Sequence, residues 1–219
     1  MPARTLRIAL DGGTVSAIST PAVGEDARWS FVYAPGAGSN IHDPFGAYAA
    51  RELAAHGVAT LRFQFPYMEA GRRGPDRPPM LEAAWRAAIE VARNDGAKLI
   101  VGGRSMGGRI ASQVAAQGVA VDALALFAYP LHPPGKPDQL RDAHLSSIAV
   151  PTLFCSGTND AFASPTELRA AARKVRRATV HLLQDADHGF SVPKSSGRTR
   201  EDVWSEAVDA MVRWLGSVR

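Results

Sequence analysis

Leu99-Ile100-Val101-Gly102-Gly103-Arg104-Ser105-Met106-Gly107-Gly108-Arg109-Ile110-Ala111 is the stretch that decides the fold of this chain. Leu99 to Val101 is an apolar run of strand type that stops at paired glycines. A helix-compatible run begins at Arg109 and continues to Ala116. Between them stands Gly103-x-Ser105-x-Gly107, the pattern of a strand turning sharply into a helix with serine at the apex. Such a turn puts strained backbone angles on the serine. Its neighbours two residues away must lack side chains so that strand and helix can pass closely. The hydroxyl then stands at the carboxyl edge of a sheet, near the positive end of the next helix. Glycine is common here, 20 of 219 residues, so the pattern draws its weight from the flanking elements and from residues later in the chain.

Working outward, Lys98 to Val101 is the strand that feeds the turn, and Leu81 to Ala92 precedes it as a helix with Trp85, Ala88 and Ile89 at core spacing. Upstream, Leu6–Leu10 and Val15–Ser19 read as two strands joined through Asp11-Gly12-Gly13-Thr14. Ser30–Ala34 is a buried strand cut off by Pro35-Gly36-Ala37-Gly38. Asp43 suits the N-cap and Pro44 the first turn of a helix ending near Gly57, and Val58–Phe63 is the next strand. Tyr67 to Pro79 is a polar loop. Downstream, Val121–Ala128, Thr152–Cys155 and Thr179–Leu183 read as strands. Pro165–Val175 and about Glu201–Leu215 read as helices. Strands alternating with helices from Ser30 onward predict a mostly parallel α/β sheet, helices on both faces, with an antiparallel amino-terminal edge. One domain over residues 1–219 is expected, and the connection Pro130–Ser147 is too short for a large helical cap.

Composition sets the class. The chain is 46% hydrophobic and 21% charged, which suits a sizeable core, and 25 Lys and Arg are answered by 21 Asp and Glu for a net charge of +4. The densest basic cluster, Arg169, Arg173, Lys174, Arg176 and Arg177, reads as a solvated helix face, and no nucleic-acid partner is expected. Cys155 is the sole cysteine and sits in an apolar run, so it is read as a buried structural thiol. Met1 to Asp11 carries no leader pattern, and no segment reaches the roughly 18 apolar residues of a membrane span. A cytoplasmic protein without membrane association is expected. Neither a metal-ligand cluster nor a phosphate-loop or dinucleotide glycine pattern is present, so no metal or cofactor is expected.

A serine hydroxyl needs a base for its proton, and the base needs a partner that orients it. In such a sheet these arise from loops at the carboxyl ends of later strands, acid before histidine. After Thr152–Cys155 comes Ser156-Gly157-Thr158-Asn159-Asp160, and after Thr179–Leu183 comes Asp187-His188-Gly189. Ser105, Asp160 and His188 therefore stand in order as nucleophile, orienting acid and base. Taken singly, Asp160 reads equally as a turn residue and His188 as a loop histidine held by Asp185 or Asp187. His42, His56, His132, His144 and His181 lack the placement, and His42, nearest the site, is assigned to the pocket or to capping. The developing oxyanion needs donors, assigned to the N–H groups of Met106 and of Ala37, within the small-residue loop Gly36-Ala37-Gly38.

With these pieces in place, the chain resembles the α/β-hydrolase superfamily over nearly its whole length, and more narrowly its dienelactone-hydrolase-like branch. Within that branch it is similar to a group containing bacterial hydrolase-like proteins, a testis-expressed vertebrate protein and a subunit of a histone-acetyltransferase complex. The residues that carry this are Pro35-Gly36-Ala37-Gly38, Leu61-Arg62-Phe63 with Phe65-Pro66-Tyr67, Gly102-Gly103-Arg104-Ser105-Met106-Gly107, Gly157-x-x-Asp160 and Asp187-His188. The resemblance implies an α/β-hydrolase fold and a Ser105–His188–Asp160 triad. Dienelactone hydrolases carry a cysteine nucleophile where this chain has Ser105. Ordinary hydrolysis of small esters through an acyl-enzyme, a carboxylesterase activity, is therefore expected in place of lactone chemistry. Two readings of Arg104 stand, attraction of an acidic substrate or pairing with a buried carboxylate beneath the turn, and the pairing is preferred. Arg72, Arg73 and Arg77 are read as a solvated loop before a substrate-facing one. Because some relatives act as complex subunits, the competing reading is a hydrolase-fold interaction protein that does not use its triad.

Overall fold

A computed structural model describes residues 2–24, 27–93 and 97–218; Met1, Glu25, Asp26, Asn94 to Gly96 and Arg219 lie outside the described residues. The elements are β1 (Arg4–Leu10), β2 (Gly13–Thr20), β3 (Trp29–Ala34), α1 (Pro44–Ala55), β4 (Val58–Phe63), α2 (Pro66–Glu69), α3 (Pro78–Ala92), β5 (Lys98–Arg104), α4 (Met106–Ala116), β6 (Ala123–Phe127), β7 (Thr152–Gly157), α5 (Pro165–Ala172), β8 (Ala178–Leu183) and α6 (Arg200–Ser217). All eight strands form one sheet, in the order β1-β2-β4-β3-β5-β6-β7-β8. β1 pairs antiparallel with β2, and β2 antiparallel with β4; every later pair is parallel. This is the expected α/β-hydrolase fold with its antiparallel amino-terminal edge.

The central strands are apolar on both sides because helices cover both faces. Phe31 to Ala34 on β3 and all of β6 are buried. α1 and α6 pack one face through Phe45, Leu53, Val208 and Met211. α3, α4 and α5 pack the other through Trp85, Ile110, Val114 and Leu168. Between β6 and β7 the described structure holds one 3₁₀ turn, Leu145–Ser147, and no helical cap.

Several element boundaries differ from expectation for visible reasons. The stretch expected to be a polar loop opens with α2, and α3 starts at Pro78, three residues before the expected Leu81. Asp76 imposes this order: its carboxylate accepts the Tyr67 N–H at 2.8 Å and pairs with Arg72. β5 and β7 run on to Arg104 and Gly157, so that strand geometry reaches the site itself. α5 ends at Ala172, so of the basic cluster only Arg169 lies on the helix. The whole cluster is exposed, and Lys174 pairs with Asp142 at 2.8 Å. Cys155 is fully buried, and burial pushes its thiol far above the usual range. Among the described residues, no helix is long and apolar enough to cross a membrane.

Candidate active site

Ser105 stands between β5 and α4 with φ 51° and ψ −119°, a conformation worth about 1–3 kcal/mol of strain for a residue with a side chain. Glycines make the turn sterically possible. A methyl at Gly103, whose φ is +139°, would lie 2.0 Å from the Ala34 carbonyl oxygen; one at Gly107 would lie 2.1 Å from the same atom. The Ser105 N–H donates to the Phe127 carbonyl at 2.8 Å, which binds the apex to β6. Ser105 occupies the N-cap position of α4 without capping it, so its hydroxyl is not spent on the helix.

That hydroxyl meets His188. The distance from Ser105 Oγ to His188 Nε2 is 2.9 Å, and His188 Nδ1 lies 2.9 Å from both oxygens of Asp160. The structure thus brings together three residues from the carboxyl ends of β5, β7 and β8. Asp160 is 5% exposed, and a buried carboxylate needs donors. Besides the imidazole it accepts the Ser156 hydroxyl at 3.0 Å and the Phe162 N–H at 2.8 Å. With Nδ1–H donated to Asp160, Nε2 is left as the acceptor that faces Ser105.

The acid and histidine loops are laced to each other. The Thr158 N–H donates to Leu183 at 3.0 Å and the Asn159 N–H to Ala186 at 2.9 Å. Gly157 permits this approach, since a methyl there would lie 2.0 Å from the Ala186 oxygen. Asp187 does not hold His188: its Oδ1 accepts the N–H groups of Gly189 and Ser191, both at 2.8 Å, and shapes the loop. Asp185 takes the Gln184 amide at 2.8 Å instead.

The loop after β3 passes beside the serine, a methyl at Gly36 falling 3.5 Å from Ser105 Cβ. The Ser39 N–H donates back to the Gly36 carbonyl at 3.1 Å, closing a turn over Ala37 and Gly38. The Gly38 N–H is taken by the Tyr67 hydroxyl at 2.9 Å. The N–H groups of Ala37 and Met106 donate to no acceptor among the described residues. His42 is exposed, and its backbone N–H closes a short turn onto Asn40 at 2.9 Å; capping of α1 belongs to Asp43, which accepts the Gly46 N–H at 2.8 Å.

Arg104 lies 3.8 Å from Asp43, so it faces a buried carboxylate. Asp43 also accepts the Tyr33 hydroxyl at 2.5 Å and the Ser39 hydroxyl at 3.4 Å. Burial, reinforced by Asp43, pushes the Tyr33 phenol well up, which keeps it a donor. Arg72, Arg73 and Arg77 are exposed. Phe162 is not picked out by the sequence, and Ser156, Tyr67 and the Tyr33–Asp43 pair, though they stand in stretches the sequence marks, are given no part in the site there. Ser156 stands four residues before Asp160, which was a readable signal. The others touch the site only through the fold.

Solved structures of the same architecture include the esterase domain of a Rhodothermus marinus protein (16% identity; 98% of each chain covered; TM-score 0.74). A dienelactone hydrolase from Anabaena variabilis is similar at 18% identity, over 99% of this chain and 98% of that one, with a TM-score of 0.78. A Xanthomonas campestris serine hydrolase described as lacking a lid is similar at 18% identity, over 98% and 96%, with a TM-score of 0.70. At these identities the likeness speaks for the fold. The family described as alpha/beta hydrolase domain matches residues 27–216, which takes in every strand from β3 to β8 and all three of Ser105, Asp160 and His188, and the chain belongs to that family.

Proposed function

We propose that the protein is a serine hydrolase of carboxylesterase type acting on small esters. The observation that carries this reading is the imidazole of His188, 2.9 Å from the Ser105 hydroxyl on one side and 2.9 Å from the Asp160 carboxylate on the other. In this mechanism Ser105 Oγ attacks the ester carbonyl carbon while its proton passes to His188 Nε2. The carbonyl electron pair moves onto oxygen, which takes hydrogen bonds from the Met106 and Ala37 N–H groups. The electron pair then returns, the C–O bond to the leaving group breaks, and the alkoxide takes the proton from His188. Water repeats the sequence on the acyl-enzyme with His188 as base, releasing the acid and restoring Ser105. Asp160 keeps the imidazole in the useful tautomer and stabilises its charged form. The absence of a helical cap among the described residues supports an open site and small, varied substrates.

Labelling with a fluorophosphonate probe, alongside p-nitrophenyl acetate turnover, tests this with wild type and Ser105→Ala. Both signals are expected in wild type and neither in the variant. A folded wild type that does neither overturns the reading in favour of a hydrolase-fold interaction protein.

A further inference from the structure

Phe162 touches both partners of the hydroxyl-activating pair, in two different ways. Its ring stacks on the imidazole of His188, with centroids 4.0 Å apart and planes inclined by 27°. Its backbone N–H donates to Asp160 Oδ1 at 2.8 Å. The loop that carries it is pinned from the far side, since the Phe162 carbonyl accepts the N–H of His132 at 3.1 Å. His132 is buried, its ring bracketed by the Pro133 carbonyl at 2.9 Å and Glu167 at 3.4 Å. The backbone that carries the phenyl ring is therefore fixed by contacts independent of Ser105.

The face of a phenyl ring carries negative electrostatic potential and attracts a cation more than a neutral ring. In the proposed mechanism, His188 is neutral at rest and becomes imidazolium when it takes the Ser105 proton, and again when it takes a proton from water. An interaction stronger with the charged ring than with the neutral one lowers those barriers. We infer that Phe162 is a positioning residue: its ring fixes the plane of His188 and favours the imidazolium over the imidazole. The inference rests on the Ser105–His188–Asp160 reading for its catalytic meaning. Its physical content, a ring that stabilises a cation, can be measured without any reaction.

Among the described residues, the ion-pair partner of the imidazole is Asp160. Asp160 holds Nδ1; Asp187 and Asp185, in the same loop as His188, are turned to backbone amides and to Gln184 respectively. The Phe162 N–H bond to Asp160 belongs to the backbone and survives any change of side chain. Replacing Phe162 with 4-fluoro-, 3,5-difluoro- and 3,4,5-trifluorophenylalanine therefore changes the electronics of the ring at nearly constant shape.

Two readouts are taken across this series, with Phe162→Tyr and Phe162→Leu as controls. The first is kcat and KM on p-nitrophenyl acetate. The second is the titration of the His188 ring by NMR. kcat is expected to fall stepwise with fluorination, to about a tenth in the trifluoro variant, with KM unchanged. Phe162→Tyr keeps the wild-type rate, and Phe162→Leu falls with the trifluoro variant. The His188 pKa falls in the same order as kcat. A flat NMR series overturns the inference whether or not esters are hydrolysed. A graded NMR series in a protein that neither turns over ester nor labels at Ser105 upholds the stacking effect and removes the hydrolase reading alone.

Discussion

The indole N–H of Trp85 donates to the carbonyl oxygen of Gly107 at 3.2 Å, joining α3 to the first turn of the helix after Ser105. Trp85 is fully buried, so the bond is made where water cannot replace it. Trp85→Phe keeps most of the packing and leaves that helix turn without the donor. A loss of about 1–2 kcal/mol is expected, read as a lower urea midpoint at unchanged slope. An unchanged midpoint would show that the bond contributes nothing net.

Gly107→Ala tests the turn more severely. The added methyl meets the Ala34 oxygen at 2.1 Å and the Pro35 oxygen at 2.7 Å, both backbone atoms that cannot swing aside. Either β3 or α4 must shift. The expected outcome is a loss of several kcal/mol, about 3 or more, with fluorophosphonate labelling abolished in whatever fraction folds. Wild-type melting by circular dichroism would contradict the geometry.

Asp160→Asn leaves the shape of the site nearly intact but removes the charge that favours one tautomer of His188. The mechanism predicts a fall in kcat of about 10,000-fold with little change in KM. A fall of less than about tenfold in steady-state assays would mean that Asp160 does not orient the base.

Arg104 and Asp43 differ in what they hold. Asp43 serves the Tyr33 hydroxyl, the Gly46 N–H and the Ser39 hydroxyl, whereas Arg104 stands 3.8 Å away with 23% of its side chain exposed. Asp43→Ala is expected to cost about 3 kcal/mol, and Arg104→Met about 1 kcal/mol or less. Because Arg104 faces Asp43, Arg104→Met should leave the ratio of rates on anionic and neutral esters unchanged. A ratio that collapses would assign Arg104 to the substrate.

His144 gives the acid side of the stability profile. Burial, with Arg109 adding to it and Asp142 opposing, holds its imidazole below the ordinary 6.5. The unfolded chain therefore takes up a proton near 6.5 while the native ring stays neutral. Its contribution is full above that pH and is lost as pH falls toward the lower native value. Urea midpoints measured from about pH 8 to about pH 5 should decline, and His144→Gln should flatten the decline. An equally steep decline in the variant would place the acid sensitivity elsewhere.

Much of this architecture was legible because the signals were local. Gly103, Ser105 and Gly107 declare a strand–turn–helix within a few residues, and Asp43-Pro44 declares a helix start. The order Ser105, Asp160, His188 could be read because parallel sheets present their loops at one edge. α2 was not legible, since what orders it is the Asp76 carboxylate reaching back to Tyr67. Phe162 was invisible for a related reason: a half-buried aromatic in a loop has no periodicity, and its stack on His188 exists only once β7 and β8 are side by side. His42, assigned to the pocket or to capping, is exposed and caps no helix among the described residues, whereas Asp43, legible from the Asp-Pro pair, is the capping residue.

β8 has a single neighbour, β7, whereas the strand that feeds Ser105 is flanked on both sides. His188 is 83 residues from Ser105 and 28 from Asp160 along the chain. The proposed base is therefore hung from the margin of the sheet, while the proposed nucleophile is set in its interior. Margins exchange their amide hydrogens through partial openings that leave the rest intact. For the proposed hydrolase, probe labelling is therefore expected to be lost during mild denaturation before the helical circular dichroism signal, and coincident loss of the two would contradict this.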